Sequence, residues 1–224
     1  MSAAPPAGRR GTTLRVNSQD GILLLALEDP SGLPRVSRAM LAALGVAMRD
    51  AAHDAGLSAI VITGTPRNFA AGAEISELAA LDPQSAFAFA RLGQSLYTAI
   101  ENFPLPVIAA IEGHCLGGGF DLAMACHLRI AGDASRLGHP GGALGIFTGW
   151  GGTQRLPRLV RRALARELLL SGRTLSAEEA RAAGLVNRVV PAGGAQNVAL
   201  SLAHDAARHR AGAGTGEPTL CSGN

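Results

Sequence analysis

Asp121 follows Gly117-Gly118-Gly119 by two residues, and an acid beside three consecutive glycines is a chemical arrangement. Such a run costs backbone entropy, so a fold keeps it where φ must be positive or where a side chain would collide. Pro106 to Ile111, apolar and β-branched, reads as a buried strand closed by Gly113. Gly119 to Cys126 reads as a helix and Leu128 to Ala131 as a further short strand. The opening N–H groups of a helix have no intrahelical partner and carry the positive end of its dipole. A bare glycine turn at that point can hold an oxygen that is acquiring negative charge. The competing reading is a tight turn in which Asp121 offsets the dipole, worth about 0.3–1 kcal/mol. A second segment, Asn68-Phe-Ala-Ala-Gly-Ala-Glu-Ile75, follows the apolar strand Ala59 to Thr63 and opens a short helical run. Two bare turns of this kind could aim two N–H donors at one carbonyl oxygen.

The elements that must position these turns follow from periodicity and punctuation. Leu14 to Val16 and Gly21 to Leu27 read as a β hairpin turning between Asn17 and Gly21. Ser37 can cap a helix with Met40, Leu41, Leu44, Ala47, Met48 and Ala51 on one face, ended by Gly56. Ile75 to Leu81 is a short helix. A longer one starts near Pro83, with Phe87, Leu92, Leu96 and Ile100 along one side and Phe87, Phe89 and Tyr97 as pocket or core residues. Asp133 to Gly149 is rich in glycine and reads as loop. Gly151 to Leu156 starts a helix that Pro157 interrupts, and Arg161 to Leu170 resumes it. Ser176 and Glu179 form a capping box for a helix from Ala177, Gly184 ends it, and Val186 to Val190 is a closing strand.

Composition limits the function classes. The 224 residues are 47% hydrophobic but 4% aromatic, so the core is built from Ala, Leu, Val and Ile. The net charge of +3 and the absence of a Lys/Arg run argue against a nucleic-acid partner. No stretch reaches the roughly 20 apolar residues of a membrane span. Cys115, Cys126 and Cys221, odd in number, point to a reducing compartment, and no Cys/His cluster has metal-ligand spacing. A cytoplasmic location is the expectation. Residues 1–11 read as a disordered leader, 12–191 as the core domain, 192–209 as a short C-terminal helix and 210–224 as a disordered tail.

Several segments resemble the enoyl-CoA hydratase/isomerase (crotonase) family, in family order and spacing from about Arg15 to Pro191. They are Phe69 to Ile75, Gly113 through Ala125, Leu144-Gly-Ile, Gly151-Gly-Thr-Gln-Arg-Leu-Pro157, and Ala177 to Val190. The resemblance implies an α/β fold, the crotonase-like (ClpP/crotonase) spiral of repeated ββα units with peripheral helices and two near-perpendicular sheets. It also implies an acyl-CoA thioester as ligand, no permanently bound cofactor, coenzyme A arriving as part of the substrate, and a homo-oligomer, trimer or dimer of trimers.

By that resemblance the N–H groups of Ala73 and Gly118 form an oxyanion hole, and Ala71, Ala73 and Gly117 lie along the CoA. Family hydratases use two glutamates. Asp121 takes the place of the first, on a shorter arm, and Gly141 takes the place of the second and has no carboxylate. His139, two residues before Gly141, or His114 could supply the missing proton carrier, against a structural role for each. Pro34-Arg35 replaces the family's Asn-Ala pair, and Arg35 could meet a CoA phosphate or be an ordinary solvated side chain. The chain is also shorter than the family after Pro191, where further helices usually cover the pocket. Gly151 to Arg155 is read as a structural support for the site, and Trp150 as a lid over the gap at Gly141 or as packing. The activity implied is hydration of the 2,3-double bond of an enoyl-CoA. Isomerisation, thioester hydrolysis and non-catalytic acyl-CoA binding are the alternatives.

Overall fold

The computed structural model describes residues 11–213, so residues 1–10 and 214–224, with Cys221, the leader and most of the tail, lie outside it. A six-stranded sheet runs through the middle of the molecule. Its strands are β1 (Thr13–Gln19), β2 (Ile22–Glu28), β3 (Ala59–Thr63), β5 (Val107–Ile111), β7 (Leu128–Gly132) and β10 (Arg188–Val190), in that spatial order. β1 pairs antiparallel with β2 across a two-residue turn, and every other pairing is parallel. The turn is Asp20-Gly21, both at positive φ, the Asp-Gly chemistry that matches the twist of a hairpin.

Both faces of this sheet are covered, which is why its strands read as continuous apolar runs instead of alternating ones. Leu23, Leu25, Leu27, Ile60, Ile62, Val107, Ala109 and Ile111 point into the main core. Their neighbours Ile22, Leu24, Ala59, Val61, Ile108 and Ala110 face the opposite way, onto Ala195, Ala199 and Ala203. Those alanines belong to α8 (Ala195–Ala213), whose small residues let it lie close on the sheet. α8 runs four residues past the expected end at residue 209. Its first turn is held by the buried Glu112, which accepts from the Ala195 amide at 3.0 Å.

On the core face lie α1 (Arg38–His53), capped by Ser37 Oγ accepting from the Met40 amide at 3.1 Å, and α3 (Pro83–Glu101), opened by an Asp82/Ser85 capping box. The buried stripe of α3 is Phe89, Gly93, Leu96, Tyr97 and Ile100. Phe87 is 70% exposed, so it belongs neither to the core nor to a pocket wall, because its helical position falls on the face opposite that stripe. A short helix α2 (Ile75–Ala79) precedes α3. α5 (Gly152–Leu159) passes through Pro157 without a break and α6 (Arg162–Ser171) follows it. Pro157 costs one helical hydrogen bond, but the buried Arg155 and Leu156 hold the turn in place. α7 (Ala177–Ala182) has the expected Ser176/Glu179 capping box.

A second, four-stranded sheet has no counterpart in the periodicity. Its strands are β4 (Asn68–Ala70), β6 (His114–Leu116), β8 (Arg136–Gly138) and β9 (Thr174–Ser176), each three residues long. β4, β6 and β8 are parallel, and β9 closes the edge antiparallel. Strand pairs from the two sheets, followed by helices, give the ββα recurrence that the family resemblance implies. No helix of the described residues is long and apolar enough to cross a membrane.

Candidate active site

The three parallel strands of the small sheet end side by side, and each is followed at once by residues singled out in the sequence. β4 leads into Ala71-Gly72-Ala73, β6 into Gly117 and the helix α4 (Gly118–Ala125), and β8 into His139. Ligand sites at the carboxyl ends of parallel strands are a general property of such sheets, because the loops there converge. The neighbouring turns are in contact, since a Cβ on Gly117 would lie 3.3 Å from the Gly72 Cα. Gly72 (φ +105°) and Gly117 (φ +52°, ψ −122°) both occupy backbone conformations that side chains rarely adopt.

The first turn is shaped by the segment before α1. Pro34 O accepts from the Ala71 amide at 2.8 Å, the Val36 amide donates to Gly72 O at 2.8 Å, and Val36 O accepts from the Glu74 amide at 3.3 Å. In that bridge Val36 bonds the groups on either side of Ala73, so Ala73's own N–H points away from it. The second turn is pinned by aromatic groups. A Cβ on Gly118 would overlap the six-membered ring of Trp150, and Tyr97 donates its hydroxyl to Gly118 O at 3.0 Å. Burial holds the Tyr97 phenol well above its ordinary range, with the nearby Asp121 adding to the effect. The group therefore remains a donor. Gly119 is set against Ala70, where a Cβ would sit 2.5 Å from the Ala70 Cβ.

Asp121 lies in the opening turns of α4 and is 1% exposed. One carboxylate oxygen, Oδ2, accepts from the Thr148 hydroxyl. The other, Oδ1, is 3.2 Å from His139 Nε2. The two atoms are close enough for an ion pair but are not aligned for a hydrogen bond, and each is buried without a hydrogen-bond partner. His139, itself 7% exposed, packs its ring against Phe120 at 5.0 Å between centroids.

Asp121, His139, Thr148, Ala71, Ala73, Gly117, Gly118 and Gly141 share one cavity of about 370 Å³. Its walls are otherwise apolar, including Ile75, Leu78, Leu81, Phe89, Phe147 and Trp150. A larger groove of about 700 Å³, lined by Arg15, Glu28, Asp29, Thr63 and Glu112 among others, contains neither glycine turn and no part of this constellation.

Trp150 both lines the cavity and packs. It meets Phe89 and Tyr97 edge-on at 5.2 and 5.8 Å, and its indole donates to Phe89 O at 3.3 Å. The buried Arg155 holds the loop behind it, donating to Trp150 O at 2.9 Å and pairing with Glu101 at 2.9 Å. At the position of the family's second glutamate, a Cβ on Gly141 would come within 2.7 Å of Ile146 O, and Gly141 O accepts from the Ile146 amide at 2.9 Å. The loop has closed over the space a longer side chain would use.

Two sequence candidates fall outside the cavity. His114 is exposed at the start of β6, with its ring bonded to Asn68 Oδ1 at 2.7 Å. The Arg35 side chain is 40% exposed and faces Glu74 at 3.9 Å. Thr148 is the site residue that sequence reasoning missed. Its only signal is position, in the glycine-bounded segment just before Trp150-Gly-Gly. Cys115 and Cys126 are free and fully buried, and burial pushes the Cys126 thiol up to about 12. Neither can act as a nucleophile near neutral pH.

The family model for enoyl-CoA hydratase/isomerase matches residues 17–213. The chain is 40% identical over 196 residues to 2,3-dehydroadipyl-CoA hydratase of Escherichia coli, covering 88% of this chain and 76% of that one. It is 44% identical over 167 residues to a probable enoyl-CoA hydratase of Bacillus subtilis, spanning 74% of this chain and 64% of the relative. Among solved structures it is similar to an enoyl-CoA hydratase from Bacillus anthracis, with a TM-score of 0.82 at 34% identity, covering 87% of this chain and 76% of that one. DspI of Pseudomonas aeruginosa superposes with a TM-score of 0.83 at 32% identity, over 92% and 83% of the two chains.

Proposed function

The chain belongs to the enoyl-CoA hydratase/isomerase family, and from that premise we propose that it adds water across the 2,3-double bond of an enoyl-CoA thioester, or removes it. One observation carries the reading: two bare backbone turns and a buried carboxylate open onto the same cavity. The thioester oxygen accepts from the amides of Ala73 and Gly118. Negative charge grows on that oxygen as the enolate forms, and one such donor is worth about 3–4 kcal/mol in the transition state. The CoA lies along Ala71, Ala73 and Gly117 and enters as part of the substrate, and Arg35, partly exposed beside Glu74, meets a CoA phosphate.

A single carboxylate can balance the protons. Asp121 Oδ1 takes a proton from water as the water oxygen bonds to Cβ, the thioester becomes an enolate, and the same carboxyl returns the proton to Cα. His139 Nε2, beside Oδ1 and equally unpartnered, supports the reading as a second polar group able to hold the water. Gly141 favours a second reading within the family. Moving a double bond from the 3,4 to the 2,3 position needs one base, which removes a proton at Cα and returns it at Cγ. Assembly as a homotrimer and a cytoplasmic location belong to the same proposal.

Purified protein assayed with crotonyl-CoA and with a 3-enoyl-CoA tests it. The wild type is expected to hydrate crotonyl-CoA, and Asp121→Asn to lose about 10²–10⁴-fold in turnover while binding a nonreactive acyl-CoA analogue with unchanged Kd. Conversion of the 3-enoyl substrate alone would replace hydratase by isomerase. Binding without turnover of any enoyl-CoA by the wild type would overturn both.

A further inference from the structure

Resting on that reading of Asp121, we propose that Thr148 is a positioning residue that dedicates Asp121 Oδ1 to proton transfer and makes the shorter acid workable. Thr148 comes from the loop before α5, 27 residues along the chain from Asp121, and its hydroxyl donates to Asp121 Oδ2. A hydroxyl has one proton to give. Thr148 Oγ1 also lies 3.3 Å from the Gly152 amide, which donates to it. The hydroxyl is thus turned so that its single proton faces the carboxylate. Oδ2 is tied down, and Oδ1 is left as the oxygen without a hydrogen-bond partner beside His139 Nε2.

The crowding around this unit points the same way. A Cβ on Gly152 would collide with Asp121 Oδ1, sit 2.6 Å from His139 Nε2 and sit 2.8 Å from the Thr148 methyl carbon. Gly152, at the first turn of α5, is bare because three side chains from three different segments converge on it. Asp121 reaches one methylene less far than a glutamate would, and misplacing a reacting group by about 1 Å can cost about a hundredfold. A fixed anchor on the far oxygen limits the wandering of a short arm that has no second carboxylate opposite it.

The test compares Thr148→Val, which keeps the shape and removes the hydroxyl, with Thr148→Ser, which keeps the hydroxyl. Crotonyl-CoA hydration is measured for kcat and KM, with thermal midpoints alongside. Thr148→Val is expected to lose about 10- to 100-fold in kcat, the range for a hydrogen bond to a charged group, with KM within about threefold. Serine is expected to restore kcat to within about threefold. Thr148→Ala, which adds no atoms, is read in the same way if the valine variant does not fold.

Exchange of the Cα protons of butyryl-CoA in D2O provides a second readout, because it needs the base and the amides but no water addition. Exchange that falls in Thr148→Val and returns in Thr148→Ser supports the proposal even if hydration is absent and the hydratase reading has failed. Normal kcat and normal exchange in Thr148→Val, or an equal defect in the serine variant, would overturn it while hydration by the wild type stands. A wild type that neither hydrates nor exchanges would overturn both.

Discussion

At Gly118 an added methyl group would overlap the Trp150 ring, and at Gly119 it would meet Ala70, whereas at Gly142, Gly145 and Gly149 it would meet nothing within 4 Å. Both regions are glycine-rich and both line or border the same cavity, yet glycine is there for different reasons. Around α4 it is required by packing, since neighbours from β4, the Gly72 turn and the Trp150 loop occupy the space where side chains would go. In the segment from Pro140 to Gly149, most of the glycines face open space. The side of the cavity formed by the Gly117–Gly119 turn is therefore tied to the folding of the whole core. The opposite side, apart from Gly141, is loosely constrained, and side chains can be added at Gly142 and Gly149 without meeting a neighbour.

The largest expected effect comes from testing the packed side. Gly118→Ala should lower stability by about 1–3 kcal/mol, as overpacking in a core does, and should abolish most turnover by displacing the amide from its oxygen, as denaturant melts and steady-state rates will show. A Gly118→Ala protein of wild-type stability and rate would remove the contrast between the two regions.

Gly141→Glu should have a middle-sized effect, because Gly141 is the exception in the open loop. The carboxylate it supplies is the one the family's hydratases have, but its Cβ would press on Ile146 O at 2.7 Å. The expected outcome is a loss of about 1–3 kcal/mol with no gain in crotonyl-CoA hydration. A rise in kcat would mean that the loop yields easily and that the missing acid alone limits the rate.

Gly142→Ala should do least. Its side chain would project into open space from a helical backbone without positive φ, so stability should move by less than about 1 kcal/mol, on the stabilising side, with kcat unchanged.

The family resemblance and the larger sheet were legible in the sequence because long apolar runs, capping residues and glycine turns are local signals. Ser37 and Ser176/Glu179 cap helices through contacts three residues apart, which linear order alone encodes. The small sheet was not legible. Its strands are three residues long, too short for a two-residue period to register, and β4, β6 and β8 are separated by crossovers that only the folded chain brings together. The sequence reading accordingly attached the glycine turns to β3 and β5, when β4 and β6 intervene and deliver them side by side.

What the sequence by itself determined is the set of chemical parts: two bare turns, one acid in the place of the first glutamate, and a glycine in the place of the second. What only the tertiary structure decided is which distant groups those parts meet. Thr148 rather than His114 reaches Asp121, Trp150 fills the space over Gly118, and Phe87 turns to solvent while Phe89 turns to the cavity. The reason is physical. Backbone preferences and caps act within a few residues, whereas these contacts are fixed by how buried surfaces from far-apart segments share a limited volume.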